Sequence, residues 1–195
     1  EQFQSSAYRA HPYGRPVVGF MNDLENMTAE DAREWYLSWY TPNNATVVVV
    51  GDINAQDVVK LAEQTFGRLR AKVLPVRKPQ VEPLQLGLRE AIVKAPAKLP
   101  YFVMGFHVPT LKNATAFDSQ DWEPYALEVL SSILSGDDAA WLSQKLVREQ
   151  AIALDIDTGY DSTNRGQTSL FEIAASPSEG VSIPTLQQAI WAQID

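Results

Sequence analysis

Apolar residues recur through "MTAEDAREWYLSWY" at Ala32, Trp35, Tyr36, Trp39 and Tyr40. That i, i+3, i+4, i+7, i+8 spacing predicts a helix with one buried face. Thr28 stands at its N-cap with Asp31 three residues on, a variant capping box. "TPNN" at 41–44 predicts a turn, since Pro and Asn stop a helix and favour tight bends. The run "ATVVVVGD" is β-branched and closed by Gly51, which predicts a short strand buried on both sides. Asn54 with Asp57 opens another helix, with Val58, Leu61, Ala62, Thr65 and Phe66 along one side. Ahead of all this, "EQFQSSAYRA" has the pattern of a helix end running into a Pro/Gly loop at 11–19.

Hydrophobic periodicity fails in "RAKVLPVRKPQVEPLQ", where three Pro and four basic residues predict an extended linker over 70–85. Past it, "LREAIVKA" and "LPYFVMGFHVP" predict two strands, antiparallel because "PAK" between them is too short for a crossover. A helix is expected from about Asp121 to Leu134, with Ala126, Val129, Leu130, Ile133 and Leu134 inward. "SGDDAAWLSQKLVRE" predicts a tight break and a second helix. "AIALDIDTGY" alternates Ile152, Leu154, Ile156 against Ala153, Asp155, Asp157, a half-exposed strand with "TSLFEIAAS" as its neighbour. "IPTLQQAIWAQI" begins a last helix. The order predicts an α+β class, helices layered on mostly antiparallel β-sheet. The domain reading is 1–69, then the linker at 70–85, then 86–195.

A length of 195 residues with 45% hydrophobic content suits one or two domains with a real core. A net charge of −8 argues against nucleic acid, whose phosphates demand a Lys/Arg surplus, and against anionic membrane surfaces. No apolar run reaches the ~18 residues of a membrane helix, so membrane insertion is not expected. With no cysteine, disulfides, a thiolate nucleophile and Cys-ligated zinc are excluded. The chain opens on Glu1 and closes on a helical pattern without a stop signal, which predicts a segment of a longer protein.

The chemistry-bearing residues are sparse. His11 and His107 are the two histidines, and neither has a second His or a Cys three or four residues away. HExxH, its inverted form HxxEH, GxSxG and the phosphate-loop patterns are all missing. His11 beside Pro12 is expected to shape a loop by bonding to backbone, and His107 to lie on a sheet face. Asp137 and Asp138 fit the flank of a helix start, where negative charge meets the positive dipole end. Asp155 and Asp157 fit the outward face of a strand. The stripe Trp35, Tyr36, Trp39, Tyr40 fits core packing better than a ligand cage. No metal-binding or catalytic residue is assigned.

In order and spacing, "HPYGRPVVGFMNDLENMTAEDAREWYLSWYTPNNATVVVVGDINAQDVVKLAEQTFGRL" resembles a block of the insulinase/pitrilysin-type zinc peptidases, the group that includes mitochondrial processing peptidase. "LPYFVMGFHVP", "ALEVLSSILSGDDAAWLSQKLVRE" and "SLFEIAASP" look like that family's following domain. The resemblance implies a processing-peptidase-like fold: the second half of one α/β domain plus most of the next.

It implies further that the parent protein is a zinc metalloendopeptidase, cleaving peptides in a closed clamshell chamber with metal-activated water. The family's HxxEH motif and later Glu precede the HPY-type loop, so zinc belongs to the parent and none to this segment. Glu1 is too close to the loop to be the last ligand. His11, Pro12, Tyr13 and Gly14 then shape a loop, the segment supplies chamber wall, and alone it is expected to be inactive. Where family members carry an Arg and a following Tyr against substrate, "LVREQAIALDI" has Arg148 but Leu154 at the Tyr position. That departure argues against a substrate-binding Arg–Tyr pair here and fits a segment from the zinc-bearing half, whose partner supplies the pair. Arg148 is then a helix-end cation or, with Asp137 and Asp138, a substrate-facing residue of the chamber. The implied partners are a peptide or unfolded polypeptide and a second half-clamshell subunit of the same family. For a bacterial member the resemblance implies a periplasmic location. The alternative is a non-catalytic scaffold or partner subunit of the same fold.

Overall fold

The structure is a computed structural model that describes residues 1–111, 122–164 and 168–194. The chain divides into two compact units, Glu1–Ala91 and Ile92–Asp195.

The first unit is helical among its described residues. Helix α1 spans Gln2–Ala7, α2 Met21–Asn26, α3 Ala29–Trp39 and α4 Ala55–Phe66, with single 3-10 turns at Pro12–Gly14 and Pro42–Asn44. Helix α3 starts as its sequence predicts: the Thr28 hydroxyl accepts the Asp31 N–H and the Asp31 carboxylate accepts the Thr28 N–H, closing the capping box. Asn54 caps α4 by accepting the Gln56 N–H.

Two expectations fail in this unit. The run at 45–52 forms no strand, and Val47, Val48, Val49 and Val50 are exposed. β-Branched residues favour a pleated surface that other strands must complete, and no described segment of the unit pairs with them. The apolar faces of α3 and α4 are likewise uncovered: Trp35, Tyr36, Tyr40 and Leu61 are exposed, so the aromatic stripe is not core here.

The second unit is a two-layer α+β structure. Strands β1 (Phe102–Val108), β2 (Ala153–Gly159) and β3 (Ser169–Pro177) form one sheet in the order β1-β3-β2, every pair antiparallel. Helices α5 (Trp122–Ser135) and α6 (Ile183–Ile194) and a wide π-helical segment (Ser143–Glu149) supply the other layer. In the register, Met104 faces Ile173, Phe106 faces Phe171 and Ile156 faces Ala175. That sheet face packs with Leu134, Leu142, Leu146, Leu186 and Ile190 into the core, and the Trp191 ring meets Phe106 edge-on. The opposite face carries His107, Asp155 and Asp157, as their alternation predicts.

Three details depart from the expectations. The 88–95 segment does not pair with β1; β1 pairs with β3 instead. Helix α5 turns Pro124, Leu127 and Leu134 inward, leaving Val129, Leu130 and Ile133 exposed. Ser131 and Ser135 on that inner side bond Thr158 of β2, which sets the rotation of the helix. A register shift between Ala153 and Asp155 reverses the expected alternation at the start of β2, so Ala153 is buried and Leu154 is exposed.

Candidate functional site

The sequence-predicted residues fall into two groups, one in each unit. His11, Pro12, Tyr13 and Gly14 form the first. Pro12 sets the opening of the 3-10 turn, and His11 caps it by accepting the Tyr13 N–H at Nδ1, 3.3 Å. That bond needs Nδ1 unprotonated, so the imidazole serves as a backbone acceptor. The rings of Tyr8, His11 and Tyr13 cluster with centroids 4.4–5.9 Å apart. Tyr8 is buried. Gly14 is required by close approach, since a Cβ there would lie 2.3 Å from the Tyr8 carbonyl oxygen.

Residues outside the predicted set hold this loop. The Glu82 carboxylate accepts the N–H groups of Arg9 (2.9 Å), Ala10 (2.8 Å) and His11 (3.0 Å). Arg89 donates through Nη1 to the carbonyls of Ser6 (3.0 Å) and Ala7 (2.8 Å), and lies 3.7 Å from Glu82. Both side chains are largely buried, with 8% of Glu82 and 16% of Arg89 exposed. Burial pushes the Glu82 carboxyl up, but the three N–H bonds and the Arg89 charge outweigh it and hold the group at about 2.

The predicted linker is fastened elsewhere too. Asn43 pairs with the backbone N–H and carbonyl of Lys72, Lys72 Nζ bonds the Leu37 carbonyl, and the Arg77 guanidinium sits 4.6 Å from the Trp39 ring centroid. Sequence reasoning missed Glu82, Arg89 and Asn43. The one available signal was a lone acid in a Pro-rich stretch, and it names no partner.

The second group is Asp137, Asp138 and Arg148. Asp137 accepts the Ala139 N–H at 2.7 Å, stabilising the turn ahead of the π-helical segment. Arg148 ends that segment and lies 3.6 Å from Asp138, an exposed pair. The segment closes with wide bonds from Gln150 N–H to Lys145 and from Ile152 N–H to Leu146. Ala151 follows at φ 52°, a left-handed conformation that a Cβ disfavours. Leu154, at the position where the resemblance expects Tyr, points outward just beyond.

Zinc does not fit the described residues, among which no three His, Cys, Asp or Glu side chains converge. No helix among them is long and apolar enough to cross a membrane.

Residues 26–195 match the family described as "Peptidase M16 inactive domain". The chain is 34% identical over 156 residues to "Zinc protease PqqE" of Helicobacter pylori, covering 78% of this chain and 33% of that protein. The solved structure of a protease from Helicobacter pylori superposes with a TM-score of 0.83 at 31% identity, over 98% of this chain and 45% of that one. The structure of the ferredoxin protease FusC in complex with Arabidopsis ferredoxin superposes with a TM-score of 0.63 at 19% identity, over 90% of this chain and 19% of that one, a likeness of fold alone. The chain thus spans about a third of the length of the curated relative.

Proposed function

The chain belongs to the M16 peptidase family, and on that premise we propose that it is the non-catalytic wall of a zinc metalloendopeptidase whose metal is held by other residues of the parent protein. The observation that carries this reading is the match of residues 26–195 to a domain described as the inactive one of its family. The 34% identity to a named zinc protease supports a peptidase parent. In this reading the substrate is a peptide or unfolded polypeptide, enclosed between this wall and a zinc-bearing half. Asp137 and Asp138 face it, and Arg148 either faces it with them or only ends the π-helical segment. The His11–Gly14 turn shapes the wall and does no chemistry.

The full-length parent, loaded with zinc, is expected to cleave an unfolded protein such as casein, and a chelator is expected to stop it. The 195-residue chain is expected to leave the same substrate intact. Cleavage by the chain alone overturns the proposal. A second reading makes the parent a scaffold or partner subunit of the same fold. A full-length protein inert with and without zinc, yet forming a complex with a motif-bearing relative, decides for it.

A further inference from the structure

The 70–85 stretch has the composition of a free spacer, yet the structure uses it and the residues just after it to hold the start of the chain. Helix α1 ends at Ala7, where the carbonyls of Ser6 and Ala7 lack further helix to bond them. Past Tyr8, whose N–H closes the helix on the Gln4 carbonyl, the amides of Arg9, Ala10 and His11 have no helix or strand to receive their protons. Arg89 satisfies the carbonyls and Glu82 satisfies the amides, from positions 71 to 83 residues away in sequence. One carboxylate on three successive N–H groups is the geometry of a backbone anion nest. Here the anion belongs to the chain itself.

We propose that Glu82 and Arg89 form a latch: the segment after α4 inserts an internal carboxylate and guanidinium that fix residues 6–11, and through them the His11–Gly14 turn, in one conformation. The latch rests on hydrogen-bond geometry and burial, independently of whether the parent cleaves peptides. It has one structural consequence: the turn's shape is set from the connector as well as from its own Pro12 and Gly14.

The nest is shaped for a carboxylate, and that gives the test. In the 195-residue chain, amide exchange at Arg9, Ala10 and His11 is expected to be slowed about 10- to 100-fold relative to an unstructured peptide, as charge-assisted bonds require. Glu82→Ala is expected to return these three amides to rapid exchange while the amides inside α3 and α4 keep theirs. Sodium acetate, compared with sodium chloride at equal ionic strength, is expected to slow them again in Glu82→Ala and to change nothing in the wild type. Rapid exchange of the three amides in the wild type overturns the latch, and that measurement needs no variant. Slow exchange persisting in Glu82→Ala overturns it equally. Failure of acetate to restore protection in a folded Glu82→Ala protein overturns the assignment of the nest as a carboxylate site.

Discussion

Leu142, Leu146, Leu186 and Ile190 of the second unit are wholly withdrawn from solvent, whereas in the first unit Tyr8 is the one apolar side chain buried among the described residues. The second unit is a sheet with helices packed on one face, stabilised by the burial of contiguous apolar surface. The first unit, with the faces of α3 and α4 open, is organised by directed contacts: a capping box on α3, an Asn54 cap on α4, an Asn43 clasp, a guanidinium over Trp39 and the Glu82–Arg89 latch. Apolar packing tolerates small displacements at a graded penalty. A buried hydrogen-bonded carboxylate is held by a few bonds, and losing any one of them is felt at once. The two units should therefore fail under different insults.

The largest expected effect is on the packed unit. Leu186→Ala removes a fully buried side chain from the first turn of α6 and is expected to destabilise the second unit by about 2–5 kcal/mol. Denaturant unfolding followed by fluorescence reads this, because Trp191 on the same helix lies against Phe106. Exchange at Arg9–His11 should stay as in the wild type. If the substitution also exposes those amides, the two units do not stand apart energetically and the contrast fails.

Acid should discriminate in the other direction. The Glu82 carboxyl is held at about 2 against an ordinary value of 4.5, so its stabilising contribution is complete above about pH 5. It is lost as the pH falls from there through the folded value, up to about 3 kcal/mol if the whole shift is expressed. Asp31 is shifted the same way by its bonds to Thr28 and adds to the trend. The first unit should thus loosen between about pH 5 and 2 while the sheet of the second persists, seen as loss of protection at Arg9–His11 before loss at β3. Glu82→Gln should flatten that dependence at the loop. A loop that loosens at the same pH in both proteins is being released by some other group.

What could be read in the sequence was local. Thr28 and Asp31 are three residues apart and Asn54 adjoins its helix, so caps were visible without knowledge of neighbours. The β2–β3 pairing and α6 followed from period and turn signals. What escaped depends on partners. The Val47–Val50 run has strand composition, but a strand exists only with a neighbour. The inner face of α5 is fixed by Ser131 and Ser135 meeting Thr158, a polar choice that an apolar periodicity count overlooks. The outward turn of Leu154 comes from one extra residue at a bulge, which shifts the alternation by one. Of the site, His11–Gly14 was recognisable as a shaped loop, while Glu82 and Arg89, more than seventy residues distant, carry no periodic signature.

A smaller effect should appear where the second unit departs from regular geometry. Ala151 holds φ 52° between the π-helical segment and β2. Ala151→Gly removes the clash of its Cβ and is expected to stabilise the unit by up to about 1 kcal/mol, part of it offset by the greater freedom of glycine in the unfolded chain. A raised thermal midpoint supports this. A lowered one means that the left-handed turn is imposed by packing that the methyl group itself supplies.

The smallest effect on stability, and the most informative about function, is expected at Arg148. Its partner Asp138 is fully exposed and the contact is 3.6 Å, so solvent screens the pair and Arg148→Ala should leave the unfolding midpoint of the second unit where it was. The two open readings of this residue then separate in the full-length parent. A cation that only ends the π-helical segment leaves peptide cleavage unchanged when removed. A cation facing substrate leaves folding unchanged but raises KM, with the larger rise for substrates bearing acidic residues, and Arg148→Lys restores part of the loss by keeping the charge. A fall in stability matching the fall in cleavage supports neither role, and places Arg148 instead among the groups that hold the second unit together.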